Sequence, residues 1–408
     1  MLLAALLARL FRRGELTLID ADGHRHRFGG TPLPDVPPVT IRLHDRRLHW
    51  RLPLNPGLAA GEAYADGTLT VERGSLRDLL ALATINQARD DHSALPLWRA
   101  TRLWQQFNPI RRARRNVAHH YDLSGALYER FLDADRQYSC AYFRQPDMSL
   151  DEAQAAKKAH IAAKLLLAAG QRVLDIGAGW GGLALTLAQA AEVEVLGITL
   201  SEEQLAVARR RAEAAGLGGR VRFELMDYRQ VQGRFDRVVS VGMFEHVGVP
   251  NYRTFFATLC RLLAADGVAL LHAIGRAHGP GATNPWIRKY IFPGGYSPAL
   301  SEVLPAIETA DLYVTDIEIL RQHYAETLLE WQHRFQARRA EIAQLLDERF
   351  CRMWEFYLAG AEMAFRNQGH MVFQIQLARD VQAVPLTRDY MAEAEARLGT
   401  AGVVRAAE

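Results

Sequence analysis

The feature that most constrains the fold is an alternation of helix-like and strand-like segments that begins near residue 150. The helical stretch EAQAAKKAHIAAKLLLAAG precedes the strand RVLDIGAG, whose glycines lead into the helix GGLALTLAQAA. The strands VEVLGITL, RVRFELMD, FDRVVSVG and VALLHAIG follow, with two further helices among them. This alternation predicts a mostly parallel sheet with helices on both faces, and ligands bind such sheets beyond the carboxyl ends of the strands.

The turn after the first of these strands is rich in glycine. In VLDIGAGWGG, residues 173–182, a hydrophobic strand delivers Asp175 and then three glycines at alternate positions. Glycine has no Cβ, so the backbone of such a turn can approach a ligand closely. The pattern alone is weak because dinucleotide-binding enzymes use a similar turn.

A dinucleotide site also predicts an acidic residue about 20 positions further on, at the end of the second strand. Here Thr199 ends that strand, and Glu202 and Glu203 already belong to the next helix, for which Ser201 is a plausible N-cap. This arrangement counts against a generic dinucleotide site.

Length and composition exclude several classes of protein. The chain has 408 residues, of which 49% are hydrophobic and 23% charged, as expected for a soluble protein of about two domains. A net charge of +3 gives no indication of a nucleic-acid partner. Cys140, Cys260 and Cys351 are too few and too scattered for a disulfide framework or a metal site, which favours a reducing cytoplasm.

The N-terminus, MLLAALLARLFRR, is apolar and then basic. It lacks the charge order of a signal peptide and the length of about 20 apolar residues that a membrane span needs. An amphipathic helix fits. The favoured interpretation is that it packs on its own domain; the alternative is that it touches lipid, with Arg9, Arg12 and Arg13 near headgroups.

The region before residue 96 differs from the rest. Its strand-like runs ELTLID, VTIRLHD, RLHWRL and GTLTVE precede a helix, SLRDLLALATIN, which predicts a small α+β domain over residues 1–95. A connector over 96–118 carries the basic run RRARR, residues 111–115, which is either a solvated face or a phosphate contact. The main domain is predicted over 119–395, with a tail over 396–408. Within it, GPGATNPWIRKYIFPGGYSP is interpreted as a long loop or lid.

Seven motifs occur together in one order: YSCAYF, VLDIGAGWGG, DYR, MFEHVG, LLHAIG, KYIFPGG and HYAETLLEW. With them the chain resembles the cyclopropane fatty acid synthases and their mycolic-acid relatives, closely over residues 110–385. The resemblance implies an α/β fold of class I S-adenosylmethionine (SAM)-dependent methyltransferases. This fold has a Rossmann-like, mostly parallel seven-stranded sheet and helical insertions. It also implies a small N-terminal α+β domain that handles lipid, of the sterol-carrier type.

The resemblance implies the residues of a SAM site. Segment 174–182 would wrap the methionine part, three polar side chains near the second strand would reach the ribose, and two residues after the third would flank the adenine. The implied residues are Tyr138, Ser139, Leu174, Asp175, Gly177, Gly179, Gly181, Thr199, Ser201, Gln204, Asp227 and Tyr228. Taken singly, Thr199 and Ser201 could cap a helix, and Asp227 could cap a turn.

The resemblance also implies a bound bicarbonate ion. The matching positions are Cys140, Glu245, His272, Ile274 and Tyr324. An alkene that takes up a methyl group becomes a carbocation, and ring closure needs a base for one proton of that methyl. Glu245 would accept the hydrogen of bicarbonate, while His272, Tyr324 and backbone N–H groups would donate to its oxygens. The alternatives are a small buried hydrophobe at position 140, a core histidine at 272 and a helix cap at 324.

The implied reaction is methylene transfer to the cis double bond of unsaturated acyl chains in membrane phospholipids. The implied enzyme is a peripheral homodimer at the inner face of the membrane. Three alternatives stay open: a related enzyme that makes a methyl or methylene branch, a small-molecule N-methyltransferase, and a non-catalytic lipid carrier. Ala361 stands where some members of the family have cysteine, so a cysteine nucleophile at that position is excluded.

Overall fold

The computed structural model describes residues 2–87 and 125–405, with side chains to residue 398. The RRARR run and the predicted connector therefore lie outside the described residues. The chain divides into two compact units. The first takes its described residues from Met1–Trp98, Ala282–Pro293 and Ala325–His370, and the second from Arg99–Gly281, Gly294–Tyr324 and Met371–Glu408.

The first unit contains a four-stranded sheet in the order β2-β1-β3-β4. Strands β1 and β3 are parallel, and the other two neighbouring pairs are antiparallel. Leu16, Leu18, Ile41 and Leu43 alternate inward from β1 and β3 and form a core with Leu82. The strands are β1 (Glu15–Ile19), β2 (Arg25–Gly29), β3 (Val39–Leu43) and β4 (Leu69–Arg73).

Helices complete the first unit, and its last long helix packs on α3 and α4. The helices are α1 (Leu2–Leu10), α2 (Leu48–Leu54), α3 (Pro56–Ala65), α4 (Leu76–Asn86), α10 (Pro285–Tyr290), α13 (Arg339–Leu345) and α14 (Glu348–Asn367), with most of α12 (His323–Ala337). The predicted main domain ran without interruption over 119–395, whereas two segments of it belong to this unit. These segments pack against residues far away in the sequence, and a local sequence pattern does not indicate such contacts.

One predicted strand is a helix. Residues 48–52 of the run RLHWRL lie in α2 and Arg47 precedes its first residue, so the strand prediction was wrong. The side chain of Asp45 accepts from the backbone N–H of Arg47 (2.8 Å) and its carbonyl from that of Leu48 (3.1 Å), which starts a helical turn. Leu48 and Leu52 contact the core. A spacing of four puts both on one side of a strand or of a helix, so periodicity could not decide between them.

The N-terminal helix follows the favoured interpretation. Leu3 of α1 is buried, and Leu7 and Leu10 pack against the core of the same unit. Among the described residues, no helix has both the length and the apolar character needed to cross a bilayer.

The second unit is built on a seven-stranded sheet in the order β10-β11-β9-β8-β5-β6-β7. Pairs β5–β6, β5–β8, β6–β7 and β8–β9 are parallel, and β10–β11 is antiparallel. The predicted mostly parallel sheet is confirmed. Its strands are β5 (Arg172–Ile176), β6 (Glu194–Thr199), β7 (Val221–Leu225), β8 (Phe235–Val241), β9 (Leu263–Arg276), β10 (Tyr313–Leu320) and β11 (His370–Ala378).

The described helices of this unit are α5 (Gly125–Phe131), α6 (Leu150–Lys164), α7 (Gly182–Ala191), α8 (Glu202–Ala214), α9 (Tyr252–Leu262), α11 (Leu300–Glu308) and α15 (Asp389–Arg405). Both Ser149 before α6 and Ser201 before α8 accept from the backbone N–H three residues on, as N-caps do. The predicted loop after β9 contains α10, whose start is fixed by the Asn284 side chain and by proline at the first helical position.

Candidate active site

The glycine turn after β5 forms one wall of an open cavity. Gly177, Gly179 and Gly181 all have positive φ (89°, 55° and 87°), a conformation that side chains disfavour. A Cβ on Gly179 would meet no atom within 4 Å, because this glycine borders the cavity. A Cβ on Gly181 would lie 2.7 Å from the ring of Phe223. Gly179 therefore leaves room for a ligand, and Gly181 allows close packing of the core.

The cavity lies at the carboxyl ends of β5, β6, β7 and β8, where a parallel sheet is expected to bind ligands. Leu174, Gly181 and Ser201 do not border it: Leu174 is buried in the core, Gly181 packs on Phe223, and Ser201 caps α8. The other predicted residues that line it are Tyr138, Ser139, Asp175, Gly177, Gly179, Thr199, Gln204, Asp227 and Tyr228.

Local hydrogen bonds fix the polar side chains of this wall. The hydroxyl of Thr199 donates to Gln204 Oε1 (2.9 Å) and accepts from the backbone N–H of Ser201 (3.2 Å). Both carboxylate oxygens of Asp227 accept from the guanidinium of Arg229 (2.7 and 2.8 Å), and Oδ1 also accepts from its backbone N–H. Thr199 and Asp227 thus line the cavity and stabilise a local turn at the same time.

Sequence reasoning missed part of the lining. His246, interpreted as a structural partner, borders this cavity, and burial lowers its pKa to about 4, so it is neutral at pH 7. The signal was present, since most of the missed residues adjoin a predicted motif. Ile176, Ala178 and Trp180 line the cavity within the predicted segment 174–182. The lining residues that were missed are Arg136, Gln137, Leu183, Ile198, Leu200, Met226, Arg229, Val241, Gly242, Met243 and Val247.

Asp175 is an incompletely paired buried acid. It is 1% exposed, and its Oδ2 has no hydrogen-bond partner among the residues that the structure describes. Burial raises its pKa to about 7, although the charge of Lys157 opposes the shift. A cation in the cavity would favour the ionised carboxylate. The methionine part of SAM carries an ammonium group, so the carboxyl group of Asp175 suits that cofactor.

Glu245 follows β8 in a single 3₁₀ turn, Phe244–His246, and is buried. Its Oε1 accepts from the backbone N–H of Ile274 at 2.6 Å. Its Oε2 is buried without a hydrogen-bond partner in the described part of the chain. Burial raises the pKa of Glu245 to about 7, while the hydrogen bond from Ile274 opposes the shift. Ile274 thus orients the carboxyl group and leaves one oxygen available to a ligand.

His272 lies two residues before Ile274 on β9, and its Nδ1 is 3.1 Å from Nε2 of Gln374 on β11. An amide nitrogen only donates, so Nδ1 is the acceptor and the imidazole proton lies on Nε2. Burial lowers the pKa of His272 to about 3, which keeps the ring neutral. Gln374 was not predicted, although two glutamines in the apolar strand HMVFQIQLARD were a visible signal.

Cys140 and Tyr324 are both buried. The backbone N–H of Phe143 donates to Nδ1 of His323 (3.1 Å), which ties the segment after Cys140 to the start of α12, where Tyr324 lies. Direct bonding joins Glu245 to Ile274, and the register of β8 and β9 sets His272 beside the end of β8. The structure thus joins Glu245 to Ile274 directly and places His272 on the strand beside β8, and it connects the segments that carry Cys140 and Tyr324 to each other.

The raised pKa of Glu245 predicts a cost in stability at neutral pH. Between its ordinary value near 4.5 and about 7, the native state holds a proton that the unfolded chain has lost. The free energy of unfolding therefore falls as pH rises through this range. Glu245→Gln removes the titration, so from pH 5 to pH 8 the wild type should lose about 1–3 kcal/mol relative to the variant. Urea unfolding at both pH values, in bicarbonate-free buffer, measures this; parallel pH profiles would contradict it.

Comparison with known proteins identifies the family. The sequence model of the mycolic acid cyclopropane synthetase family matches residues 109–375. The chain belongs to this family. It is 38% identical over 347 residues to the cyclopropane-fatty-acyl-phospholipid synthase of Escherichia coli, covering 85% of this chain and 89% of that one. It is also 38% identical over 403 residues to the tuberculostearic acid methyltransferase UfaA1 of Mycobacterium tuberculosis, covering 92% of each.

Among solved structures, mycolic acid cyclopropane synthase CmaA1 in complex with SAH and CTAB is 35% identical, with a TM-score of 0.62. The match covers 66% of this chain and 99% of CmaA1. This member of the mycolic acid cyclopropane synthetase family is accordingly a SAM-dependent methyltransferase. The residues that suit SAM, Asp175 among them, line the open cavity beside the glycine turn.

Proposed function

We propose that this enzyme adds a methylene group across the cis double bond of unsaturated acyl chains in membrane phospholipids. We further propose that bicarbonate, held beside Glu245, removes a proton from the transferred methyl group, and that this loss allows the ring to close. The observation that carries the proposal is the carboxyl group of Glu245. One oxygen is fixed by Ile274 and the other is buried without a partner in the described chain. A small ion with one hydroxyl could satisfy the second oxygen.

The residues around Glu245 suit an anion better than a permanent protein base. The proton on Nε2 of His272 would supply a neutral donor, and the hydroxyl of Tyr324, at the position that the family resemblance implies, would supply a second. Neither group is a strong base in this site: His272 is neutral and its pKa is far below 7. When bound, SAM supplies the methyl group and bicarbonate the base. The protein's part is to hold the anion at one place, with Glu245 accepting its hydrogen.

We propose that the first unit handles the lipid. Trp50 and Leu54, on α2, are 65% and 78% exposed, and Arg46 and Arg47, which pair with Asp22 and Asp45 on the surface, precede them. Large exposed apolar side chains beside arginines suit the interface of an anionic membrane. Such contact would place the enzyme peripherally, at the inner face of the cytoplasmic membrane.

The test is incubation of purified enzyme with SAM and vesicles of a dioleoyl phospholipid, with free oleate as the alternative substrate. We expect phospholipid acyl chains to gain one CH2, seen by mass spectrometry, and free oleate to react poorly. A ring and a methylene branch are isomers, so the product is then treated with ozone. A ring survives this treatment, whereas a branched product that retains an alkene is cleaved. Cleavage, or reaction of free oleate alone, would contradict the proposal.

The second candidate is a lipid C-methyltransferase that makes a branch. Its support is the similarity to UfaA1, whose name is that of a methyltransferase and which matches over 92% of this chain. Both reactions pass through the same carbocation and differ in which proton leaves. The ozone step of the same experiment distinguishes them.

A further inference from the structure

Helix α6 has a buried face that is polar. Gln154, Lys157, His160 and Lys164 are at most 4% exposed, and their spacing of three, three and four places them on one side of the helix. Burying a charged side chain is costly unless it is paired and hydrogen-bonded. Each of these residues therefore needs partners.

The C-terminal half of this face has them. Lys164 and His160 both bond the carboxylate of Glu318, and His160 also bonds Glu395. These contacts join α6 to β10 and α15 by ion pairs. These ion pairs give His160 and Lys164 a structural role.

Lys157 differs, since it forms no ion pair with any residue that the structure describes. Its Nζ donates to two neutral oxygens, Gln137 Oε1 (2.6 Å) and Ser139 Oγ (2.8 Å). Burial lowers its pKa to about 8, so it remains largely protonated at pH 7. Its direct partners are neutral, and the carboxylates of Asp133 and Asp135 favour its charge without forming an ion pair with it. The charge of Lys157 therefore acts most directly on the hydroxyl of Ser139.

Both partners of Lys157 line the open cavity. Gln154, one turn earlier on α6, donates to the carbonyl oxygens of Gln137 (3.2 Å) and Ser139 (2.9 Å). The segment 137–139 is thus held by its backbone and by its side chains. Tyr138, between the two, also borders the cavity.

The hydrogen bond to Ser139 has a direction. An ammonium group can only donate, so Ser139 Oγ is the acceptor and its own O–H is free to donate elsewhere. Because Ser139 borders the cavity, the acceptor it suits is an oxygen of a ligand. The acid Asp175 lines the same cavity, and one of its oxygens has no hydrogen-bond partner among the described residues. The hydroxyl of Ser139, supported by the cation of Lys157, matches the carboxylate of an amino acid. The acid Asp175 matches its ammonium group.

We propose that Lys157 is a positioning residue that makes Ser139 the hydrogen-bond donor to the carboxylate of the methionine part of SAM. It acts through Ser139 and does not line the cavity itself. The inference rests on the use of SAM by this enzyme and is independent of the proposed bicarbonate site.

The experiment compares two probes by calorimetry. S-adenosylhomocysteine contains the amino-acid part, whereas 5′-methylthioadenosine lacks it. Lys157→Met should weaken binding of S-adenosylhomocysteine by about 10- to 100-fold, the scale of a charge-assisted hydrogen bond. Binding of 5′-methylthioadenosine should change less than twofold. Ser139→Ala should show the same selectivity, and the double variant should lose no more than the larger single loss.

Lys164→Met is the matched control. It removes an equally buried lysine from the same helix face, so it should lower the unfolding temperature without changing affinity for either probe. If Lys157→Met weakens both probes equally, or neither, the proposal is overturned. Should that variant not fold, Ser139→Ala alone decides: a loss confined to S-adenosylhomocysteine supports the proposal, and equal or absent losses refute it.

Discussion

Replacing Glu245 by glutamine is expected to lower turnover by about 10²-fold or more while SAM still binds, the usual scale for losing a positioned proton acceptor. The amide oxygen can keep the bond from the N–H of Ile274, which places the NH2 group where Oε2 lies. A donor then faces the hydrogen of bicarbonate instead of an acceptor. The anion loses its orientation, and the carbocation loses its base.

Bicarbonate dependence distinguishes this role from a structural one. Depleting bicarbonate should slow the wild type strongly and the residual activity of Glu245→Gln little. Cys140→Ser and Tyr324→Phe should show the same insensitivity to smaller degrees. Glu302→Gln, an acid-to-amide change at the start of α11, is the control and should retain both rate and dependence. A Glu245→Gln enzyme with near-normal turnover that still needs bicarbonate would refute the assignment.

Gly179→Val is expected to lower the affinity for SAM by about 100-fold or more in a protein that still folds. Gly179 has a φ of 55°, and the space beside it is the cavity itself. A branched side chain there would occupy the volume of the ligand. Calorimetry with SAM measures the effect, and unchanged affinity in a folded variant would contradict the placement of the cofactor.

Two other glycines separate blocked binding from backbone strain. Gly216, after α8, also has positive φ (66°) and open space around it, but it does not line the cavity. Gly216→Val should therefore cost similar strain, on the order of 1–2 kcal/mol, and leave SAM affinity unchanged. Gly181→Ala should lower stability instead, because its Cβ would lie 2.7 Å from Phe223.

Local patterns predicted much of the second unit. The strand RVLDIGAG and the structure agree on β5 at Arg172–Ile176, and Thr199 ends β6 as predicted. Ser201 caps α8, as its local interpretation predicted, and its contact with the ribose stays a prediction. Alternation, glycine turns and caps depend on neighbours within a few residues, and such information is present in the sequence itself.

Contacts between distant segments decided the rest. RLHWRL became α2 because its leucines meet a core that either element could fill, and α14 joined the first unit through packing on α3 and α4. The tautomer of His272 depends on Gln374, which lies 102 residues away. The sequence thus determined which residues reach the ends of the strands. Only the tertiary structure determined which oxygen of Glu245 is left open and why Lys157 is buried, since burial and hydrogen-bond direction arise from groups that meet only in the folded chain.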